Sequence, residues 1–190
     1  MLILGINTCL ATADIALVRD GEILATQFDD APRGHEARLP SLLDMLLADA
    51  RCHLSDLDRI AVVTGPGSFT GIRIGVAFGR GLALTLTADI VGITALEAGV
   101  APSVTGTVQA SLAAQKRPPD RTWWVQTLRD GIGLDAVIET GERDIGEGVA
   151  AHPQARWAAM KAPIVSPDTH PPSPTYARLP DAKPMTPPEQ

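Results

Sequence analysis

The chain has 190 residues, of which 45% are hydrophobic and 20% are charged, a balance typical of a soluble globular protein with one large or two small domains. The net charge is −6 and no cluster of Lys and Arg occurs, which argues against a free-standing nucleic-acid-binding protein.

The two cysteines, Cys9 and Cys52, are too few for a disulfide framework and fit a reducing cytosol. The first residues have neither a basic segment nor a long apolar run. We therefore expect no signal peptide and no membrane span, and the sequence predicts a cytoplasmic protein.

The first hundred residues predict five strands and two long helices. Asp20-Gly21 marks a hairpin turn between two of the strands. Leucines at helical spacing predict a helix over 35–50, and Thr94 is expected to cap a short helix over 96–99. The predicted strands cover residues 2–8, 13–19, 22–28, 59–64 and 89–94.

The segment after the fourth predicted strand is rich in glycine. Gly65-Pro66-Gly67 predicts a sharp turn, because Pro fixes its own φ and Gly adopts conformations that other residues avoid. Ser68 or Thr70 can then cap a helix, which we predict over 69–86.

Three glycines of this helix, Gly71, Gly75 and Gly79, recur every four residues and therefore share one face. Each glycine in a helix interior costs roughly 1 kcal/mol relative to Ala. A stripe of three therefore indicates that another part of the structure approaches the helix closely.

Two alternatives explain the stripe: it packs on the protein's own sheet, or it packs against a helix of another subunit. The opposite side carries Ile74, Phe78 and Leu82, which can fill the internal core. We favour the second alternative, and the predicted interface residues are Gly71, Ile72, Arg73, Gly75, Val76, Gly79 and Arg80. A phosphate loop is disfavoured, because the helix start reads Phe-Thr-Gly and lacks the Gly-Lys-Ser/Thr of that motif.

The run from Gly65 to Gly75, Gly-Pro-Gly-Ser-Phe-Thr-Gly-Ile-Arg-Ile-Gly, closely resembles the signature of the TsaB (YeaZ) family. The segment from His35 to Pro40 and the segment from Pro174 to Pro184 are also similar to that family. The resemblance implies an α/β, actin-like ATPase (ribonuclease H-like) fold with two sequential subdomains, the second shortened. The corresponding boundaries are 1–100 for the first subdomain, 101–162 for the degenerate second, and 163–190 for a Pro-rich tail.

The second half has weaker patterns. We predict strands over 104–115 and 122–129 around a polar turn at 116–121, a further strand over 133–139 and a short helix over 142–151. Trp123 and Trp124 point to opposite faces of their strand, so one of them is expected in the core. The tail has nine prolines in 28 residues and is expected to be largely extended or disordered.

The resemblance implies a non-catalytic subunit without cofactor or metal. It would pair with a TsaD-type transferase, be joined by a TsaE-type ATPase, form a homodimer when isolated, and meet tRNA only through the complex, with no membrane contact. Active members of the fold carry an Asp at the end of strand one, where this chain has Asn7, a poorer Mg²⁺ ligand. The four histidines also lack the His-xxx-His metal pair of the transferase.

Two other functions remain as alternatives. An autonomous actin-like ATPase or kinase would need a carboxylate near strand one. A glycoprotease-like peptidase would need a nucleophile, for which Ser68 and Cys9 are available, but Ser68 does not lie in a Gly-x-Ser-x-Gly motif.

Overall fold

The computed structural model describes residues 1–10, 12–29, 35–114, 122–141 and 149–176. The polar turn predicted at 116–121, most of the helix predicted over 142–151, and the tail beyond Tyr176 lie outside the described residues.

Five strands form the first sheet, in the order β3-β2-β1-β4-β5. β1 is antiparallel to β2 and parallel to β4, β3 is antiparallel to β2, and β5 is parallel to β4. All of β1 is buried, as expected for a central strand covered on both faces. This order confirms the predicted actin-like architecture, and each strand matches its predicted range to within one residue: β1 (Leu2–Asn7), β2 (Ala13–Arg19), β3 (Glu22–Asp29), β4 (Arg59–Val63) and β5 (Asp89–Ile93).

Helices cover both faces of the first sheet. Helices α1 (His35–Ala50) and α2 (Phe69–Leu86) have their predicted bounds and touch each other on one face, and α3 (Ala155–Lys161) lies on the other. Gly5 faces Ala155 of α3, whereas its neighbour Ile6 faces Gly75 of α2. Because successive strand residues point to opposite faces, the sheet lies between the two helical layers.

Helix α2 is long and apolar enough to cross a membrane by length and composition alone, with a mean hydropathy of 1.2. In the structure it packs against β4, β1 and β5. Core helices of globular proteins share this composition.

The second sheet is smaller, with the order β10-β6-β7-β8 and with β9 paired to β7. Trp123 and Trp124 are both half-buried, so neither ring lies fully in the core as expected, although Trp124 packs against the small core of this sheet. The strands are β6 (Thr107–Ala113), β7 (Trp123–Arg129), β8 (Ile132–Gly133), β9 (Ile138–Thr140) and β10 (Val149–Ala150).

Two short helices predicted in this region differ in the structure. The end of the segment predicted as a helix over 142–151 is strand β10, because Val149 and Ala150 pair in parallel with β6. The helix predicted around 96–99 is a 3₁₀ turn, Glu97–Gly99, whose N-cap is Leu96 and not Thr94; the Thr94 hydroxyl accepts from the amide of Glu97 (3.1 Å). Two further 3₁₀ turns lie at Leu54–Asp56 and Ala162–Ile164.

The tail is packed against the first sheet and α2 as far as Tyr176, so of the two expected states, extended or disordered, disorder is wrong for residues 163–176, which form no helix beyond the 3₁₀ turn at Ala162–Ile164. The Arg59 guanidinium donates to the carbonyl oxygens of Ala162 (2.8 Å) and Val165 (3.2 Å). Farther along, the amide of Gly92 donates to the carbonyl oxygen of His170 (2.8 Å). Carbonyl groups of a Pro-rich segment remain good acceptors even though Pro itself has no N–H to donate.

The subdomain boundaries remain a prediction. Residues 155–161 were assigned to the second subdomain without a predicted helix, but they form α3, which packs against β1, β2 and β4 of the first sheet. The chain therefore returns to its first sheet near residue 155.

Candidate partner-docking surface

The turn before α2 is held against the end of β1. Gly65 has a φ of 104°, a conformation that favours glycine. The amide of Ser68 donates to the carbonyl oxygen of Cys9 (2.6 Å), and the Ser68 hydroxyl accepts from the amide of Gly71 (3.2 Å). Ser68 is therefore the N-cap of α2, one of the two caps that the sequence predicts.

The glycine stripe of α2 packs on the protein's own sheet, so the predicted role of this stripe between subunits is wrong. A Cβ atom at Gly71 would overlap the carbonyl oxygen of Thr8. Cβ atoms at Gly75 and Gly79 would overlap side-chain atoms of Thr8 and Val62. The stripe lets the helix approach β1 and β4 closely.

Most of the predicted interface residues are consequently buried inside the molecule. Ile72 and Val76 are buried together with the three glycines, whereas Arg73 and Arg80 are exposed. The side expected to fill the core, Ile74, Phe78 and Leu82, is only half-buried against it.

A different side of α2 faces solvent. Its exposed residues recur at helical spacing, and we call them the outer face of α2: Phe69, Arg73, Ala77, Arg80 and Leu84. Phe69 is 42% exposed and Leu84 is 85% exposed. Three of these residues were not predicted as interface residues, although their spacing with the two arginines can be read from the sequence.

The tail contacts both arginines of the outer face. The Arg73 guanidinium carbon lies 3.8 Å from the centre of the Phe69 ring, and its Nε donates to the hydroxyl of Tyr176 (3.0 Å). The Arg80 guanidinium donates to the hydroxyl of Ser173 (3.0 Å). Sequence analysis did not link the tail to α2, since the two segments are far apart along the chain.

A polar cluster joins the first sheet, the second sheet and the tail beside this surface. Its centre is Glu97, which is 1% exposed. The Glu97 carboxylate accepts from the amides of Thr94 (2.7 Å) and Gly133 (2.7 Å) and lies 3.0 Å from Nε2 of His170. One carboxylate thus holds three separate segments of the chain.

A cavity of about 420 Å³ opens next to this cluster, between the tail and the two sheets. The Gln126 side chain on its wall accepts from the Thr94 hydroxyl (2.7 Å) and donates to the carbonyl oxygen of Asp135 (3.0 Å). The amide oxygen and the amide nitrogen of Gln126 thus both have hydrogen-bond partners within the protein.

Both charged groups at the cluster have altered pKa values. Burial alone would raise the pKa of Glu97, but the hydrogen bonds from His170, Gly133 and Thr94 outweigh it and lower the pKa below 4.5. Burial lowers the pKa of Lys161 from 10.5 to about 8, against the attraction of Glu97, which raises it. The Lys161 ammonium donates to the carbonyl oxygens of Glu97 and Val100.

The free energy of unfolding is expected to rise between pH 8 and pH 10.5 because of Lys161. In this window the unfolded chain still binds the Lys161 proton while the folded protein has released it, and stability rises with pH wherever the unfolded state binds more protons. Urea unfolding should show that the free energy of unfolding of the wild type rises between pH 7 and pH 10 by at most roughly 3 kcal/mol more than that of Lys161→Met. Equal pH slopes for the two proteins would contradict the prediction.

Two neutral side chains, Asn7 and Cys9, build the turn between β1 and β2, and the half-buried Asp14 carboxylate lies beside them. The Asn7 side chain donates to the carbonyl oxygen of Pro153 (3.0 Å) and accepts from the amide of Cys9 (3.2 Å). Burial raises the pKa of the Cys9 thiol to about 12, so this thiol stays protonated at neutral pH and is a poor nucleophile. In the described part of the chain no group of three His, Cys, Asp or Glu residues could hold a metal ion.

The structure is similar to a solved structure of YeaZ from Pseudomonas aeruginosa. The TM-score is 0.72 at 22% identity, over 92% of this chain and 99% of that one. Together with the strand order of the first sheet, this similarity shows that the chain has the actin-like α/β fold.

Sequence comparisons show which proteins of this class the chain resembles. A family model of TsaD, a tRNA N6-adenosine threonylcarbamoyltransferase, matches residues 27–112. The tRNA threonylcarbamoyladenosine biosynthesis protein TsaB of Escherichia coli (strain K12) is 32% identical over 136 residues, which cover 70% of this chain and 58% of that protein. The chain is thus similar to proteins of the TsaB (YeaZ) family.

A transferase is also related. The tRNA N6-adenosine threonylcarbamoyltransferase of Lawsonia intracellularis is 39% identical over 113 residues, which cover 52% of this chain and 32% of that protein. The chain thus spans between about a third and three fifths of the length of these curated relatives.

Proposed function

We propose that this chain is a non-catalytic subunit that pairs with a TsaD-type transferase for the threonylcarbamoylation of the tRNA adenosine next to the anticodon. The pathway is suggested by the names of the TsaB and transferase relatives. The observation that carries the pairing is the outer face of α2, where exposed apolar and Arg side chains stand together on a helix packed firmly on the sheet. Aromatic and Arg side chains are enriched at protein interfaces.

The residues in and next to the turn between β1 and β2 support a non-catalytic role. The Asn7 amide holds two backbone segments at the position where an ATPase of this fold needs a metal-binding carboxylate. Ser68 serves as a helix cap, and the Cys9 thiol is buried and protonated. The ATPase or kinase alternative and the peptidase alternative are therefore not favoured.

The proposal extends to the wider assembly. A TsaE-type ATPase joins the pair, and tRNA is contacted through the complex, in keeping with the acidic net charge of this chain. The isolated chain self-associates through the same outer face, in the cytoplasm.

Replacing Leu84 on the outer face is expected to weaken pairing with the TsaD-type transferase of the same genome. Leu84→Ser removes an exposed apolar side chain and should raise the dissociation constant about tenfold, which corresponds to about 1.4 kcal/mol. Titration calorimetry with the two full chains measures the effect. Leu134→Ser is the matched control, because Leu134 is 53% exposed and lies directly after strand β8, away from α2 in the chain.

The same two variants test whether pairing with the transferase is needed for the modification of tRNA. In cells that lack their own TsaB, the wild-type chain should restore threonylcarbamoyladenosine in tRNA, measured by mass spectrometry, and Leu84→Ser should restore less of it. Absence of binding by the wild type, or equal loss for both variants, would overturn the proposed docking.

A further inference from the structure

A second cavity lies on the face of the first sheet that α3 covers, away from α2. It has a volume of about 310 Å³ and lies between strands β1–β3 and the start of α3. Asn7, two residues after Gly5 on β1, points to the same face and lines the cavity. The volume is near the lower end of the usual range for ligand pockets and suits a small metabolite. Its wall also includes the side chains of Thr12, Asp14, Thr26, Phe28, Gln154 and Arg156.

Two side chains of opposite charge line this cavity without forming an ion pair. Asp14 lies near the start of β2, and Arg156 lies in the first turn of α3. The charge of Arg156 is close enough to lower the pKa of Asp14. In the described part of the chain, however, Arg156 forms no ion pair with Asp14 or with any other carboxylate. The cavity therefore holds a separated pair of opposite charges.

The Asp14 carboxylate is fixed in position, but its charge is only partly compensated. Its Oδ2 accepts from the amide of Ala155 (2.7 Å). Burial raises the pKa of Asp14, and the hydrogen bonds from Ala155 and Asn7, together with the charge of Arg156, do not fully offset this. A cation that arrives beside this carboxylate would therefore be stabilised by it.

The Arg156 guanidinium has a donor that lacks an acceptor. Its Nε is buried and makes no hydrogen bond in the described part of the chain. The guanidinium carbon lies 5.6 Å from the centre of the Trp157 ring, a contact that leaves the positive charge unneutralised. A buried N–H without an acceptor costs free energy, and a ligand carboxylate would recover this cost through a charge-assisted hydrogen bond.

We propose that this cavity binds a free amino acid, with the ammonium group of the ligand at Asp14 and its carboxylate at Arg156. A simple amine would leave Arg156 unpaired, and a simple carboxylic acid would leave Asp14 unpaired. A ligand with several negative charges is disfavoured by the Asp14 carboxylate on the wall. The hydroxyls of Thr12 and Thr26 and the amide of Gln154, which makes no side-chain cap hydrogen bond, are available for a polar ligand side chain.

Three matched small molecules test this assignment on the isolated full-length chain. L-Serine carries both charges, ethanolamine lacks the carboxylate, and 3-hydroxypropanoate lacks the ammonium group. At pH 7, L-serine should bind with a dissociation constant of about 1 mM and at least tenfold more tightly than either analogue. Chemical-shift titration of isotope-labelled protein measures binding. The amide of Ala155 should shift, because it donates to Asp14 at the proposed site.

Substitution of each charged residue should remove one half of the recognition. Arg156→Met should weaken binding of L-serine at least tenfold without weakening binding of ethanolamine. Asp14→Asn retains an acceptor oxygen for the amide of Ala155, and it should weaken binding of L-serine at least tenfold without weakening binding of 3-hydroxypropanoate. A structural defect alone would not produce these opposite preferences.

Arg129→Met is the matched control, because it removes an exposed cation at the end of β7 and should leave binding of L-serine within twofold of the wild type. Thr26→Leu places a larger side chain at the cavity from an exposed position of β3, so it should weaken binding even if a charge variant does not fold. Thermal melting verifies folding. Binding of L-serine no tighter than that of either analogue, or an equal loss for Arg129→Met, would overturn the proposal. Because no transferase is present, the result is independent of the pairing proposed above.

Discussion

Gly71→Ala is expected to lower the free energy of unfolding by about 3 kcal/mol, the upper part of the range for overpacked sites. The added methyl group would overlap the backbone carbonyl oxygen of Thr8, which has no rotamer with which to move away. The helix would have to shift from β1 and would strain the hydrogen bond from the Thr8 hydroxyl to the carbonyl oxygen of Gly71 (2.6 Å). Urea denaturation of purified protein measures the loss.

Gly81→Ala provides the control within the same helix. A Cβ atom at Gly81 would meet nothing within 4 Å, and the residue is exposed. This substitution should raise the free energy of unfolding by about 0.5–1 kcal/mol, the usual gain from replacing a helix-interior Gly. Similar effects of the two substitutions would contradict the assignment of the glycine stripe to the sheet.

Glu97→Ala is expected to cost about 3–5 kcal/mol, the range for removing one member of a buried charged network. The substitution leaves the amides of Thr94 and Gly133 and the imidazole of His170 without their acceptor. Glu97→Gln keeps one acceptor oxygen and should lose less, whereas the exposed Glu22→Ala should change the free energy of unfolding by less than about 0.5 kcal/mol. Denaturant titration at pH 7 ranks the three variants.

Unfolding at low pH gives a second test of the role of the Glu97 carboxylate. The folded-state pKa of Glu97 lies below the ordinary value of 4.5, so its contribution is present above pH 4.5 and is lost as the pH falls through the folded-state pKa. The wild type should therefore lose stability more steeply than Glu97→Gln below pH 4.5. Parallel acid transitions of the two proteins would show that Glu97 does not carry this dependence.

The first sheet and its two long helices could be predicted from the sequence because each has a local signal. Apolar runs marked the strands, and the turn at Gly65-Pro66-Gly67 with the Ser68 cap fixed the start of α2 at Phe69. Strand β10 was mistaken for a helix, and the helix expected around 96–99 is only the 3₁₀ turn Glu97–Gly99, because short segments are decided by their tertiary partners.

The docking surface could be predicted only in part. A stripe of small residues indicates close approach but not the approaching element, and here Thr8 and Val62 of the same chain fill that place. Arg73 and Arg80 were identified, whereas Phe69 and Leu84 were missed because the stripe was taken as the contact. The contacts of Ser173 and Tyr176 with α2 join segments about a hundred residues apart, which no local pattern reveals.

The return of α3 to β1 has a consequence for the synthesis of the protein. The hydrogen bond between Asn7 and Pro153 links residues 146 positions apart, and the buried residues Ala155, Ala158 and Ala159 belong to the helix that covers this side of the first sheet. A nascent chain that has reached only residue 100 leaves this apolar side open to water and to other chains. Ribosome-bound intermediates of this length are therefore expected to need chaperones, and folding is completed only when α3 has left the ribosome.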